Sequence, residues 1–162
     1  MRPRFIATFV LGVATYAHEL FRAVDDLDTV YVPIGWGSGI CGVIGMRYVL
    51  GLRTKVVGVV TEAALTFADG MAVRVPDATA LEVIRKGAER IVEVTEDEIA
   101  EAIRSIYSAT HNCAEGAGAA ALAALMKERA DLQGRRAAVI LTGQNIDRAW
   151  MQTVLAGGTP RV

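Results

Sequence analysis

The chain has 162 residues, with 17 Lys and Arg against 18 Asp and Glu, a net charge of −1 and 52% hydrophobic residues. That is the length of one ordinary domain with material for a core, and the even charge balance excludes the basic footprint of a nucleic-acid binder. Two cysteines, Cys41 and Cys113, make neither a disulfide framework nor a zinc set and fit reduced thiols in a cytoplasmic protein.

In chain order, the basic start at residues 1–4 and the apolar run at 5–14 imitate a signal peptide, with Thr15-Tyr16-Ala17 as a passable cleavage site. The run is far shorter than the roughly 20 residues that a membrane span needs. Against the signal peptide stands a periodicity it would not require. Val10, Val13, Ala14, Ala17, Leu20, Phe21 and Val24 recur at three- and four-residue spacing, with Thr15, His18, Glu19 and Arg22 opposite. The pattern predicts a surface helix, interrupted at Asp25 and Asp26. A β-rich run follows at 29–34, then the loop Gly35-Trp36-Gly37-Ser38-Gly39, an apolar helix near 40–50 ended by Gly51, and a strand at 55–60. Residues 61–76 carry turn signals at Asp69-Gly70 and Pro76, ahead of a helix near 79–87 and a strand at 90–94. Thr95 with Glu98 forms a capping box for a helix whose Ile99, Ala102, Ile103, Ile106 and Tyr107 share one face. An alanine-rich helix near 114–130 precedes a last strand at 136–142 and its exit loop at 143–147.

Continuously apolar strands separated by helices predict an α/β chain, a three-layer sandwich with a mainly parallel sheet, read as one domain over residues 1–162. Ligands of such sheets sit beyond the carboxyl ends of the strands. The loops after Ile34 and after Leu141 both belong to that edge.

The loop at 35–39 lies between a strand and a helix start. Its glycines let backbone N–H groups approach an anion, the helix N-terminus adds partial positive charge, and Ser38 offers a hydroxyl. It has no lysine, so it is not a P-loop. The spacing differs from G-x-G-x-x-G, and no acid stands at the end of the next strand, which argues against a dinucleotide-dependent oxidoreductase. A ligand-free strand-to-helix turn remains the plain alternative on the local pattern.

Four further stretches give this loop a context. VPIGWGSGICG at 32–42 resembles the phosphate-binding glycine loop of the fold-type II pyridoxal-phosphate enzymes, the tryptophan synthase β-like group. ADGMAV at 68–73, IVEVTEDEI at 91–99, AEGAGAAA at 114–121 and VILTGQNID at 139–147 follow in the order of the C-terminal half of threonine and serine dehydratases. The resemblance covers the chain from about residue 11 onward. It implies pyridoxal 5'-phosphate as cofactor, its phosphate gripped by Gly35, Trp36, Gly37, Ser38 and Gly39. Thr142 would stand beside the pyridine nitrogen, where a neutral hydroxyl leaves that nitrogen largely unprotonated and suits elimination of water. Glu115 would lie near the cofactor or substrate. On local grounds Thr142 reads equally as a strand-end cap and Glu115 as a first-turn acid.

Departures from the family pattern carry expectations too. Trp36 replaces a glycine, Gly116 replaces a proline, and Gln144 replaces a glycine, which should narrow the space near the ring. Val60, in GVVT at 58–61, takes the place of the family's metal-binding glutamate, so no metal is expected, and the segment from 61 to 68 looks short. His18 and His111 lack neighbouring partners in the sequence and read as structural.

The family's lysine lies in its N-terminal half. This chain has only Lys55, Lys86 and Lys127, none in a matching context. The resemblance therefore implies a cofactor cradle without the group that makes the covalent step, inactive alone: a fragment, a split subunit or a remnant. The mean hydropathy of +0.34 is high for a freestanding domain and points to an apolar face that meets a companion N-terminal half or a second copy. The expected partners are that companion and a small amino-acid substrate, with no nucleic acid and no membrane. The reading is an ammonia-lyase acting on small hydroxy-amino acids. The alternative is a non-enzymatic binding or assembly module whose glycine loop takes another phosphorylated ligand.

Overall fold

The computed structural model describes residues 3–63, 65–73 and 75–162, with side chains from Val10 onward apart from those at 64 and 74. The basic start at Met1 and Arg2 thus lies outside the described residues, as do the side chains of the apolar run before Val10. Four strands, β1 (Thr29–Pro33), β2 (Lys55–Thr61), β3 (Arg90–Val94) and β4 (Ala137–Val139), form a sheet of order β3-β2-β1-β4. All three pairings are parallel. Among the described residues six α-helices connect and cover it: α1 (Pro3–Ala23), α2 (Ser38–Val49), α3 (Ala78–Gly87), α4 (Glu96–Thr110), α5 (Gly116–Lys127) and α6 (Arg148–Leu155).

The central strand shows why this sequence makes three layers. Successive side chains of a strand point to opposite faces, and every residue of β1 is buried. Val30 and Val32 enter a core with Ala17, Phe21, Ile40, Val43, Ile44 and Ile84 from α1, α2 and α3. Tyr31 enters the other core, with Val57, Val59, Ile99, Ile103 and Ala120 from β2, α4 and α5. A strand buried on both faces has no polar side to show, which accounts for its unbroken apolar run. Each Val or Ile enclosed in this way contributes about 1.5–3 kcal/mol.

The helices form where their residues favour them. In α1, Ala14, Ala17 and Phe21 are buried and Val10, Val13 and Leu20 half-buried, as the spacing predicted, with Val24 half-buried just past its end. Among the described residues no helix is long and apolar enough to cross a membrane. Helix α4 starts at the predicted capping box, with Thr95 Oγ1 accepting from Glu98 N–H and Glu98 accepting from Thr95 N–H. Helix α5 is so rich in Ala and Gly that it sits flush between sheet and α4, with eight of its residues buried.

Two expectations needed adjustment. The last strand is three residues rather than seven, because β4 pairs with its one neighbour, β1, only over Ala137–Val139. Ile140 N–H still reaches Tyr31 O at 3.1 Å, and beyond it the chain leaves the ladder. The alanine-rich helix ends at Lys127 and passes into a 3₁₀ turn at Arg129–Leu132. Helix α6 was not foreseen. It is capped by Asp147, which accepts from Ala149 N–H at 2.7 Å, and it buries Val154 with Trp150 edge-on to Phe67.

Candidate active site: a cleft at the carboxyl edge

Strands β1 and β4 are parallel neighbours, so the loops that leave them emerge side by side at the same edge of the sheet. Between them lies a cleft of about 1310 Å³. That exceeds the roughly 300–1,000 Å³ of a closed ligand pocket and describes a trough open on one side. Gly35, Trp36, Gly37, Ser38, Gly39, Glu115 and Thr142 all line it. The structure thus brings together the seven residues singled out in the sequence, although residues 39 and 142 are more than 100 positions apart.

The glycine loop is shaped by one conformational requirement. Gly37 is the N-cap of α2 and has φ 91°, in the left-handed region that glycine occupies without penalty. From that turn α2 begins, and Cys41 N–H bonded to Gly37 O at 3.0 Å is its first internal bond. The N–H groups of Ser38 and Gly39, which line the cleft, therefore precede the internal ladder and are free for an anion at the positive end of the helix dipole. Among the described lining residues there is no Lys, Arg or His. An anion here would be held by backbone N–H groups, the helix end and hydroxyls.

Trp36 is 71% exposed and walls the cleft from its rim. Tyr16, from α1, also lines the cleft and donates its hydroxyl to Gly39 O at 3.0 Å. It was read in the sequence only as part of a helix and of a mock cleavage site. Its contact joins residues 23 positions apart and has no local signature.

The opposite wall is built around Glu115. Its N–H donates to Gly143 O at 3.1 Å, and its Oε2 accepts from Asn145 N–H at 2.9 Å. A Cβ at position 143 would overlap the Glu115 carboxylate, so glycine there is a condition of the contact. The glutamate lines the cleft while fastening the loop that carries Thr142. Gln144, expected to narrow the cleft, turns sideways, donating from Nε2 to Asn112 Oδ1 at 3.2 Å, and is not among the lining residues.

None of the three lysines reaches the cleft. Lys55 pairs with Glu89 at 3.1 Å and Lys86 with Glu82 at 2.6 Å. Lys127 pairs with Glu98 at 3.1 Å and donates to Glu93 O at 3.0 Å.

Residues 4–143 match the family of pyridoxal-phosphate dependent enzymes. The chain is 32% identical to an L-threonine ammonia-lyase of Thermotoga maritima over 92% of its own length and 41% of that protein's. It is also 32% identical to a phenylserine dehydratase of Ralstonia pickettii, over 86% of this chain and 49% of the relative. Among solved structures, the processed form of threonine deaminase isoform 2 from Solanum lycopersicum superposes with a TM-score of 0.84 and 28% identity. That superposition covers 91% of this chain and 47% of the other. The chain thus spans less than half the length of these proteins.

Proposed function

Because the chain belongs to the family of pyridoxal-phosphate dependent enzymes, we propose that it supplies the phosphate- and pyridine-binding part of an ammonia-lyase for small hydroxy-amino acids. The observation that carries the reading is the joint placement of the glycine loop and Thr142 in one cleft. The fit is tested by the loop itself. The N–H groups of Ser38 and Gly39 at a helix start, beside a left-handed glycine and lining the cleft, are donors of the kind that take a phosphate.

The loop Gly35, Trp36, Gly37, Ser38 and Gly39 would hold the phosphate, with the N–H groups of Ser38 and Gly39 at the helix start. Thr142, on the other wall, would meet the pyridine nitrogen with a neutral hydroxyl and leave it without a proton. Glu115 would keep the loop of Thr142 in place through Asn145. Pyridoxal phosphate, when bound, supplies a conjugated ring that stabilises charge developing at the α-carbon of an amino acid, which eases loss of a β-hydroxyl. The lysines of this chain are ion-paired elsewhere. We therefore assign movement of the α-proton to a group on a companion N-terminal half or a second copy, with the isolated chain inactive and the working site cytoplasmic.

The test is titration with pyridoxal phosphate, followed by absorbance and phosphorus resonance. An acid is well placed in the first turn of a helix, so Ser38→Asp should fold normally. It should nevertheless weaken pyridoxal phosphate at least tenfold by charge repulsion. Unchanged affinity in that variant would sink the reading. Borohydride treatment and intact mass would then ask which polypeptide carries the reduced adduct.

A further inference from the structure

We propose that Asp77 and Trp36 make the cleft select its amino acid by side-chain charge, admitting an apolar β-substituent and rejecting a second carboxylate. The inference rests on the phosphate- and pyridine-site reading above and narrows its substrate class.

The constitution of the cofactor decides which wall the amino acid meets. The ring carbon that bears it stands opposite the pyridine nitrogen and next to the arm that ends in phosphate. A ring with its nitrogen at Thr142 and its phosphate at the loop therefore brings the amino acid to the glycine-loop side of the cleft. Helix α3 closes that side. Its first turn rests on the loop, since a Cβ at position 37 would lie 3.0 Å from Ala80 Cβ. Asp77, the N-cap of α3, is thereby held on the cleft wall.

Asp77 is half-buried. Its Oδ1 accepts from Thr79 N–H at 3.0 Å and from Ala80 N–H at 2.9 Å, leaving Oδ2 with no donor among the described residues. Among the described lining residues only Asp77 and Glu115 carry a formal charge, and both are negative. A second carboxylate on the substrate would meet these like charges and no cation. Charges that are partly buried are screened less than those on open surface, and discrimination between ligands commonly rests on such a repulsive element. The uncharged part of the same wall is apolar. Met71, Val75 and Pro76 line it beside Trp36, and Trp36 and Val75 are exposed. An apolar side chain that covers them removes their surface from water, and an aryl group adds an aromatic contact with the indole.

The experiment measures, by calorimetry, the binding of N-phosphopyridoxyl amino acids to the chain. These probes are stable secondary amines that need no lysine, and they are made from glycine, threonine, phenylserine and 3-hydroxyaspartate. Dividing each affinity by that of the threonine probe cancels the contribution of ring and phosphate. The 3-hydroxyaspartate probe should bind roughly tenfold more weakly than the threonine probe, the scale of one like-charge pair in a half-buried site. The phenylserine probe should bind roughly three- to tenfold more tightly, the scale of one aromatic contact. Asp77→Asn removes the charge and keeps an N-cap of equal rank, so α3 stays in place. It should bring the 3-hydroxyaspartate probe to within about threefold of the threonine probe, the remainder being due to Glu115. A role for Asp77 as helix cap alone would leave that ratio unmoved. Trp36→Ala should bring the phenylserine ratio close to one. Equal binding of the 3-hydroxyaspartate and threonine probes to the unaltered chain overturns the proposal. So does a deficit that Asp77→Asn leaves unchanged, or a phenylserine probe that binds no better than threonine. If no probe binds, the glycine one included, the cofactor-site reading itself falls and this inference with it.

Discussion

Glu115 and Asn145 lie thirty residues apart, yet the carboxylate of the first accepts the backbone N–H of the second at 2.9 Å. The bond ties the start of α5 to the loop that leaves β4, which is the loop of Thr142. A hydrogen bond to a charged acceptor contributes about 1.5–3 kcal/mol at best, and less where water competes. Glu115→Ala should therefore lower stability by about 1 kcal/mol in urea unfolding. It should also loosen residues 143–145, read as faster amide exchange at Asn145. Glu115→Gln keeps an acceptor oxygen and should recover most of both. Equal exchange rates in Glu115→Ala and the unaltered chain would show that the contact does not hold the loop.

Gly143 is the other side of the same contact. Since a Cβ there would overlap the Glu115 carboxylate, Gly143→Ala must displace the glutamate or the loop. The cost should be about 1–3 kcal/mol, the usual scale for an inserted methyl in a packed place. In a double-mutant cycle, Gly143→Ala should cost much less once Glu115 is already Ala, because the clashing group is gone. Additive effects would mean that the methyl collides with something else.

The fold was largely legible where a single local property decided it. Strands β1, β2 and β3 announce themselves as β-branched runs, and the start of α4 as Thr95 with Glu98. Helix α6 was missed because it has only eight residues. Its signal, Asp147 as cap with Trp150 and Val154 four apart, was readable, but Asp147 was read only as the end of the exit loop and residues 148–155 were assigned no element. The sheet order was not legible. The chain passes from β3 at one edge to β4 at the other, and which edge receives it depends on packing across the whole sheet. The site was half legible for the same reason. The glycine loop and the Thr142 loop could each be assigned to the carboxyl edge, but their adjacency follows from the β1–β4 pairing. The bonds of Tyr16 and Glu115 into those loops exist only once the helices are docked.

Trp36 offers a direct optical report on the cleft. It is 71% exposed at the rim, whereas Trp150, the second tryptophan, packs against Phe67 on the α6 side. Pyridoxal phosphate in the cleft should quench a large part of the emission. Trp36→Phe should abolish most of that quenching while leaving Trp150 emission in place. Quenching that survives in Trp36→Phe would put the ligand elsewhere. An exposed rim residue carries little packing, so the melting temperature should stay within about 2 °C, as for surface substitutions generally.

Far from the cleft, Tyr31, Glu128 and Arg90 form one hydrogen-bonded group whose titration should weaken the fold at both acid and alkaline pH. Tyr31 is fully buried in the sheet and donates its hydroxyl to Glu128 Oε2 at 2.5 Å. Arg90 meets the same carboxylate, with Nε 3.0 Å from Oε1. The hydrogen bond from Arg90 is the main cause holding the Glu128 carboxyl below the ordinary carboxylate range. A carboxyl depressed by folding adds stability that is present above its unfolded value, near 4.3. That stability is lost as pH falls through the folded value. Burial, followed by the bond to Glu128, raises the Tyr31 phenol well above its ordinary value near 10. A raised phenol gives stability that is full below about pH 10 and declines as pH rises beyond it. Urea midpoints should accordingly fall from pH 6 to pH 3 and again above pH 10. Arg90→Gln should flatten the acid fall and Tyr31→Phe the alkaline one, with Tyr31→Phe also costing about 1 kcal/mol at neutral pH for the lost bond. An acid limb as steep in Arg90→Gln as in the unaltered chain would assign acid sensitivity to other carboxylates.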